Sequence, residues 1–112
     1  MTDTLDLVTL VRLEATIADR RKGDVATSYV AKLSARGTGK IAQKVGEEAV
    51  EAVIAAMAGD REGLIGESAD LLFHLLVLLA DQGVSLADVM AELDRREGVG
   101  GLVEKAARGE GA

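Results

Sequence analysis

An all-α bundle of about five helices is the fold this sequence predicts, on three observations. Proline is absent from all 112 residues while Ala, Leu, Glu and Arg abound, a composition that favours helix. Apolar residues recur at three- and four-residue spacing, and strand-like alternation is weak throughout. Cap and stop signals cut the chain into successive helical segments.

The first segment, residues 4–22, places Leu7, Leu10, Val11, Ile17 and Ala18 at helical spacing and closes on the basic, glycine-terminated "RRKGD". "TSYVAKLSARG" follows as a short helix, capped by Thr27 or Ser28 and stopped at Gly37. A third helix runs from about Gly39 to Ala58 and ends at Gly59. Asp60 caps a fourth, which stops at Gly83. Ser85 and Asp88 then form a capping box, S-L-A-D, opening a fifth helix that reaches about Glu97. Residues 1–98 are therefore expected to be one helical domain, and the glycine-rich residues 99–112 a loose tail.

Composition narrows the function. With 48% hydrophobic and 29% charged residues, the chain folds rather than staying disordered. The absence of cysteine excludes disulfides and thiolate metal sites and fits a cytoplasmic protein. A net charge of −6 argues against nucleic-acid backbone binding, and Tyr29 and Phe73 alone make no base-stacking platform. The acidic start "MTDTLDLVTL" has no leader signature, and the apolar run Leu71–Ala80, broken by His74, is too short for a bilayer, so no membrane role is expected.

Helices three and four are inside out relative to a surface helix. On a wheel of about 100° per residue, Lys40, Lys44, Glu47, Glu48 and Glu51 share one sector roughly 100° wide, and apolar residues fill nearly all the rest. On helix four, Glu67, Asp70, His74 and Asp81 share a sector about 60° wide amid leucines. Two such helices, joined by a short turn near Asp60, are expected to pack antiparallel, largely buried, with their charged stripes on a common cleft. Glu48 and Glu51 then meet Glu67 and Asp70. Carboxylates so gathered stay ionised only beside cations. Oxygen donors suit hard ions such as Mg²⁺, Mn²⁺ or Ca²⁺, and Mg²⁺ commonly completes its shell with phosphate oxygens. Lys40 and Lys44 would supply point charges for those phosphates.

A solvated face with a plain Lys44–Glu48 pair explains any single E-x-x-E as well. Two stripes on consecutive helices are what favour a shared cation. His74 is expected to be a core or interface histidine with one satisfied hydrogen bond, although its place one turn beyond Asp70 also allows support of the carboxylates or general-base work. Asp81 is expected to be solvated, and the Arg20–Lys22 run to be C-terminal helix charge that could also steer an anion.

"E-x-x-E" at Glu48–Glu51, then fifteen residues, then "E-x-x-D" at Glu67–Asp70 resembles the signature of the all-α nucleotide pyrophosphohydrolases, the MazG-like superfamily. "SYVAKL" (28–33), "GTGKIAQKVGEEAVEAVIAA" (37–56), "ESADLLFHLLVLLADQGVSLADVMAEL" (67–93) and the following "RREG" are similar to the phosphoribosyl-ATP pyrophosphohydrolases of histidine biosynthesis, over roughly residues 5–98. The resemblance implies Mg²⁺-dependent hydrolysis of phosphoribosyl-ATP between its α- and β-phosphates, giving phosphoribosyl-AMP and pyrophosphate. On the residues' own chemistry, Glu47, Glu48, Glu51, Glu67 and Asp70 would then be the cation ligands and catalytic carboxylates, with Glu47 and Glu48 both within reach of the Glu51 face and neither preferred as the direct ligand. The resemblance adds Lys32, Ser28 and Tyr29 to Lys40 and Lys44 as substrate contacts, although Tyr29 reads equally as a core residue. Without cysteine or spare length, the chain is expected to be the stand-alone form rather than a fusion to the zinc-dependent cyclohydrolase of the next step.

Apolar surface on nearly every side of helices three and four needs cover that one protomer lacks, which predicts a homodimer with the cleft at or near its interface. A house-cleaning enzyme acting on other nucleoside triphosphates shares the same carboxylates. A di-iron bundle typically needs Glu-x-x-His on two helices, and this chain holds a single histidine. A helical interaction protein without catalysis predicts indifference to metal.

Overall fold

The computed structural model describes residues 5–97 together with Arg108 and Gly109, and over these the protein is all-α. The tail expected at 99–112 lies outside the described residues apart from those two. Five helices follow in order: α1 (Val8–Arg20), α2 (Tyr29–Ala35), α3 (Thr38–Met57), α4 (Arg61–Asp81) and α5 (Leu86–Glu97).

Each boundary has a local cause. The Asp6 carboxylate accepts the Val8 N–H at 3.0 Å, so α1 begins later than its apolar pattern. Ser28, not Thr27, caps α2, its Oγ accepting the Ala31 N–H at 3.1 Å. Asp60 caps α4 by accepting the Gly63 N–H at 2.9 Å. The reciprocal bonds of the capping box form as the sequence requires: Ser85 N–H to Asp88 and Asp88 N–H to Ser85 Oγ, each 3.0 Å. Gly59 and Gly83, at φ of 68° and 69°, take the left-handed conformation that closes α3 and α4.

The two long helices pack against each other along the main interface of the described residues, joined through the short turn at Gly59–Asp60, with α1 packed on α4 and α2 on both. Ile17, Val30, Leu33, Ile41, Leu76 and Val77 form the buried core, with Leu10, Leu13 and Phe73 packed around it. Burying each such side chain stabilises by about 1.5–3 kcal/mol. α5 buries no residue fully and is tied in at its start, where the Leu86 N–H donates to Glu14 Oε2 at 2.7 Å.

Two expectations need correcting. Asp81 is not a solvated member of the acidic stripe. It accepts from Thr38 Oγ1 at 2.6 Å and Gln82 Nε2 at 2.8 Å and pairs with Arg21 at 3.9 Å, pinning the end of α4 to the start of α3 and the end of α1. The Thr38 and Gln82 bonds and the Arg21 charge hold its carboxyl below the ordinary value of 3.8. Its contribution is therefore full above that value and lost as pH falls through the lowered one. Asp81→Ala should cost about 1–2 kcal/mol, lowering Tm by about 4–8 °C per kcal/mol in a thermal melt.

The second concerns the burial expected of the long helices: α4 as a whole, unlike its Leu71–Ala80 run, has the length and composition of a membrane-crossing helix, a test that the core helix of a bundle also passes. Only 17% of its most apolar window is buried within the protomer. The long helices are thus less buried than their patterns imply. Val50, Val53, Ile54 and Met57 of α3 and Ile65 and Leu72 of α4 are exposed.

Candidate active site

Antiparallel packing of α3 and α4 sets the two acidic motifs opposite each other. Glu51 and Glu67 line a hollow of about 270 Å³ near the turn, together with Ile54, Ala55 and Asp60. Glu67 is half-buried, and its carboxyl is pushed above the ordinary value of 4.5, first by partial burial, then by a hydrogen bond with Glu51 and the negative charges of Glu51, Asp70 and Glu48. Four carboxylates thus share one electrostatic neighbourhood.

Glu48 lies deepest, buried although it is a carboxylate. His74, also buried, faces it across the helix pair with Nδ1 at 2.5 Å from Glu48 Oε1. The same nitrogen lies 3.1 Å from the Asp70 carbonyl oxygen. Both neighbours are acceptors, so the hydrogen-bond network assigns the proton to Nδ1. On the other side of the ring, Nε2 is 2.7 Å from the Tyr29 hydroxyl. Phe73 and Tyr29 meet the imidazole edge-on, at centroid separations of 5.0 and 5.7 Å.

Tyr29 opens onto a second hollow of about 260 Å³, lined by Lys32, Leu33, Arg36, Lys40 and Lys44. Lys32 and Arg36 sit four residues apart on and just after α2, and Lys40 and Lys44 four apart on α3. The turn at Gly37, with φ of 93°, lets these two basic faces converge. Lys44 is 3.8 Å from Glu47, whereas among the described residues no ion pair engages Lys32, Arg36 or Lys40.

Comparison with known proteins bears on this arrangement. A family model described as phosphoribosyl-ATP pyrophosphohydrolase matches residues 10–97. The chain belongs to this family. A phosphoribosyl-ATP pyrophosphatase of Rhizorhabdus wittichii is 68% identical over 111 residues, covering 99% of this chain and all of the relative. Proteins of the same name from Novosphingobium aromaticivorans and Zymomonas mobilis are 66% and 61% identical, covering 88% and 89% of this chain and 92% and 94% of themselves.

Within this pyrophosphohydrolase, the expected residues separate into three groups. Glu48, Glu51, Glu67 and Asp70 come together. Glu47 lies at their exposed edge, lining a shallow hollow with Gln43, Val50 and Glu51: it accepts from Gln43 Nε2 at 2.8 Å, and has its carboxyl lowered chiefly by that bond, with help from Lys44 and Lys40. Lys32, Lys40, Lys44 and Tyr29 gather at the basic hollow, while Ser28 serves as the α2 cap and does not line it. Arg36 is the residue that sequence reasoning missed. Its signal was present as the second of four cations at positions 32, 36, 40 and 44.

Proposed function

We propose that this chain hydrolyses phosphoribosyl-ATP to phosphoribosyl-AMP and pyrophosphate, the second step of histidine biosynthesis, in the cytoplasm. The observation that carries this reading is the placement of a carboxylate cluster and a basic hollow on either side of one histidine, in a chain 68% identical to a relative of that name.

The donor set fits Mg²⁺. Glu48, Glu51, Glu67 and Asp70 offer only oxygen, the preference of a hard cation. Among the described residues no three carboxylate or imidazole groups stand close enough to enclose an ion by themselves. Mg²⁺ characteristically takes one or two protein carboxylates and completes its shell with waters and substrate phosphates. When bound it would stabilise charge on the leaving pyrophosphate and lower the pKa of a water.

The chain's own residues do the remainder. Lys32, Arg36, Lys40 and Lys44 bind and orient the phosphates, offsetting the net charge of −6 that otherwise repels a polyanion. Tyr29 contributes a hydroxyl at the same hollow. Of the clustered carboxylates, one left unbound by the cation accepts the proton of the attacking water, and Glu67, beside Glu51 at the acidic hollow, is placed to do so.

Pyrophosphate release from phosphoribosyl-ATP tests this, measured with Mg²⁺, with EDTA and in Glu51→Gln, with ATP and dNTPs as competing substrates. Selective, Mg²⁺-dependent release that falls by about 10²-fold or more in the folded variant is expected. Better turnover of dNTPs would move the chain to a house-cleaning role with the same carboxylates.

The assembly is a homodimer on this reading. Val50, Val53, Ile54 and Met57 form an exposed apolar face, and Ile54 also borders the acidic hollow, so a second copy seated there would close the cleft. Val53→Glu should shift the protein from dimer to monomer in sedimentation velocity, because an unpaired charge would be buried at the centre of that face. A monomeric parent protein would refute the assembly.

A further inference from the structure

Resting on the function proposed above, we infer that His74 is a positioning residue that couples cation binding at Glu48 to the state of Tyr29 in the basic hollow. The two hollows are lined by separate residues. One continuous hydrogen-bonded path runs from the basic hollow to the buried carboxylate whose charge reaches Glu67 at the acidic one: the Tyr29 hydroxyl to His74 Nε2 at 2.7 Å, and His74 Nδ1 to Glu48 Oε1 at 2.5 Å.

The path has a definite polarity. Glu48 and the Asp70 carbonyl are both acceptors at Nδ1, which therefore donates. Nε2 is left with a lone pair, and the Tyr29 O–H donates to it. Glu48 Oε1 is committed to this path, leaving Oε2 to face a cation. The backbone carbonyl of Asp70, one turn earlier on α4, holds the same nitrogen, so the Glu48 carboxylate and the helix backbone together fix the ring. Phe73 packs edge-on against it at a centroid separation of 5.0 Å.

Hydrogen bonds in a chain polarise one another, most strongly where water is excluded. A cation on Glu48 draws electron density from Oε1, weakens its hold on Nδ1–H, and thereby weakens Nε2 as an acceptor. The Tyr29 proton is then less firmly held by His74 and more available to a phosphate oxygen. Cation and phosphate sites would thus assist one another through this ring, and the coupling must be reciprocal.

The chain is well suited to a direct test, since it contains one tyrosine, one histidine and no tryptophan. Intrinsic emission therefore reports Tyr29, and one imidazole gives one pair of ¹⁵N signals. Mg²⁺ alone, with no phosphate present, should change Tyr29 emission saturably in the parent protein. The ¹⁵N spectrum of the metal-free protein should show the Nδ1–H tautomer.

His74→Asn keeps a donor for Glu48 but cannot reach Tyr29. It should bind Mg²⁺ with near-parental affinity by calorimetry and lose the emission response. His74→Leu removes both bonds and should weaken Mg²⁺ binding by about 10–100-fold, the usual effect of losing a partner behind a metal ligand. Circular dichroism checks that each variant is folded.

Unchanged Tyr29 emission in a parent protein that binds Mg²⁺ would overturn the inference, as would an Nε2–H tautomer or a full response in His74→Asn. The tautomer measurement needs no variant, so a misfolded mutant leaves the question decidable. Failure of the functional reading looks different: no pyrophosphate from phosphoribosyl-ATP, with the Mg²⁺-dependent emission change intact.

Discussion

Glu67→Gln should stabilise the metal-free protein at neutral pH while lowering pyrophosphate release by roughly 10²–10⁴-fold, the range for loss of a general base. The two effects have one cause. Partial burial, the Glu51 bond and the charges of Glu51, Asp70 and Glu48 raise the Glu67 pKa above 4.5, so the folded state holds this proton more tightly than the unfolded chain does. The stabilisation from that proton is complete below about 4.5 and is lost as pH rises through the raised value. At neutral pH the metal-free fold therefore carries an uncompensated repulsion. Glutamine removes it while keeping the shape.

Thermal melts in EDTA across the acid-to-neutral range should show the variant above the parent at neutral pH, with the difference shrinking in acid. Mg²⁺ should narrow or reverse the gap, because binding stabilises the parent by mass action. A variant destabilised in EDTA at neutral pH would mean that Glu67 is structural and that the cluster does not repel. The repulsion of the empty cleft and its attraction for a cation are the same electrostatics seen in two states.

What the sequence revealed followed the range of each signal. Helix limits were legible because caps act over three or four residues: Ser28 to Ala31, Asp60 to Gly63, Ser85 to Asp88. The glycine stops at Gly59 and Gly83 were legible because a positive φ is a property of one residue. The acidic cluster was legible in outline because one short turn dictates antiparallel packing of α3 and α4. A helical wheel discards position along the axis, however. It put Asp81 in the sector of Glu67, although 14 residues of helix separate them by about 21 Å; that distance was legible in the sequence, whereas the bonds of Asp81 to Thr38 and Arg21 on other helices were not. Glu47 and Glu48 are only about 1.5 Å apart along the axis, and it is the rotation of about 100° between neighbours that turns Glu48 to His74 and leaves Glu47 with Gln43 and Lys44 at the exposed edge.

His74 shows the opposite limit. Expected to satisfy a single hydrogen bond, it has three partners, two of them on other helices and 26 and 45 residues away in sequence. No local pattern carries that information. Arg36 escaped for a related reason. It follows the last residue of a short helix, and only the fold across Gly37 brings Lys40 and Lys44 to the same hollow.

Arg36→Ala should reduce kcat/KM for phosphoribosyl-ATP through a higher KM, with kcat changed much less. A charged hydrogen bond to phosphate contributes about 1.5–3 kcal/mol, roughly 10- to 150-fold in kcat/KM. Arg36 is the strongest candidate for this effect among the cations of the hollow. Lys44 already shares its charge with Glu47, whereas Arg36 has no ion-pair partner among the described residues, and its planar fork can hold two phosphate oxygens at once.

Because Arg36 is exposed at the rim, its charge acts on the substrate both before and after the chemical step. Binding of that uniform kind appears in KM rather than kcat. The penalty should shrink as salt is added, since an exposed charge is screened over about 10 Å at 0.1 M. Arg36→Lys should recover the steering but not the two-point grip, leaving a partial defect. A fall in kcat at unchanged KM would place Arg36 on the charge that develops as pyrophosphate leaves. In that case the basic hollow would hold the leaving group in the transition state rather than capture the substrate beforehand.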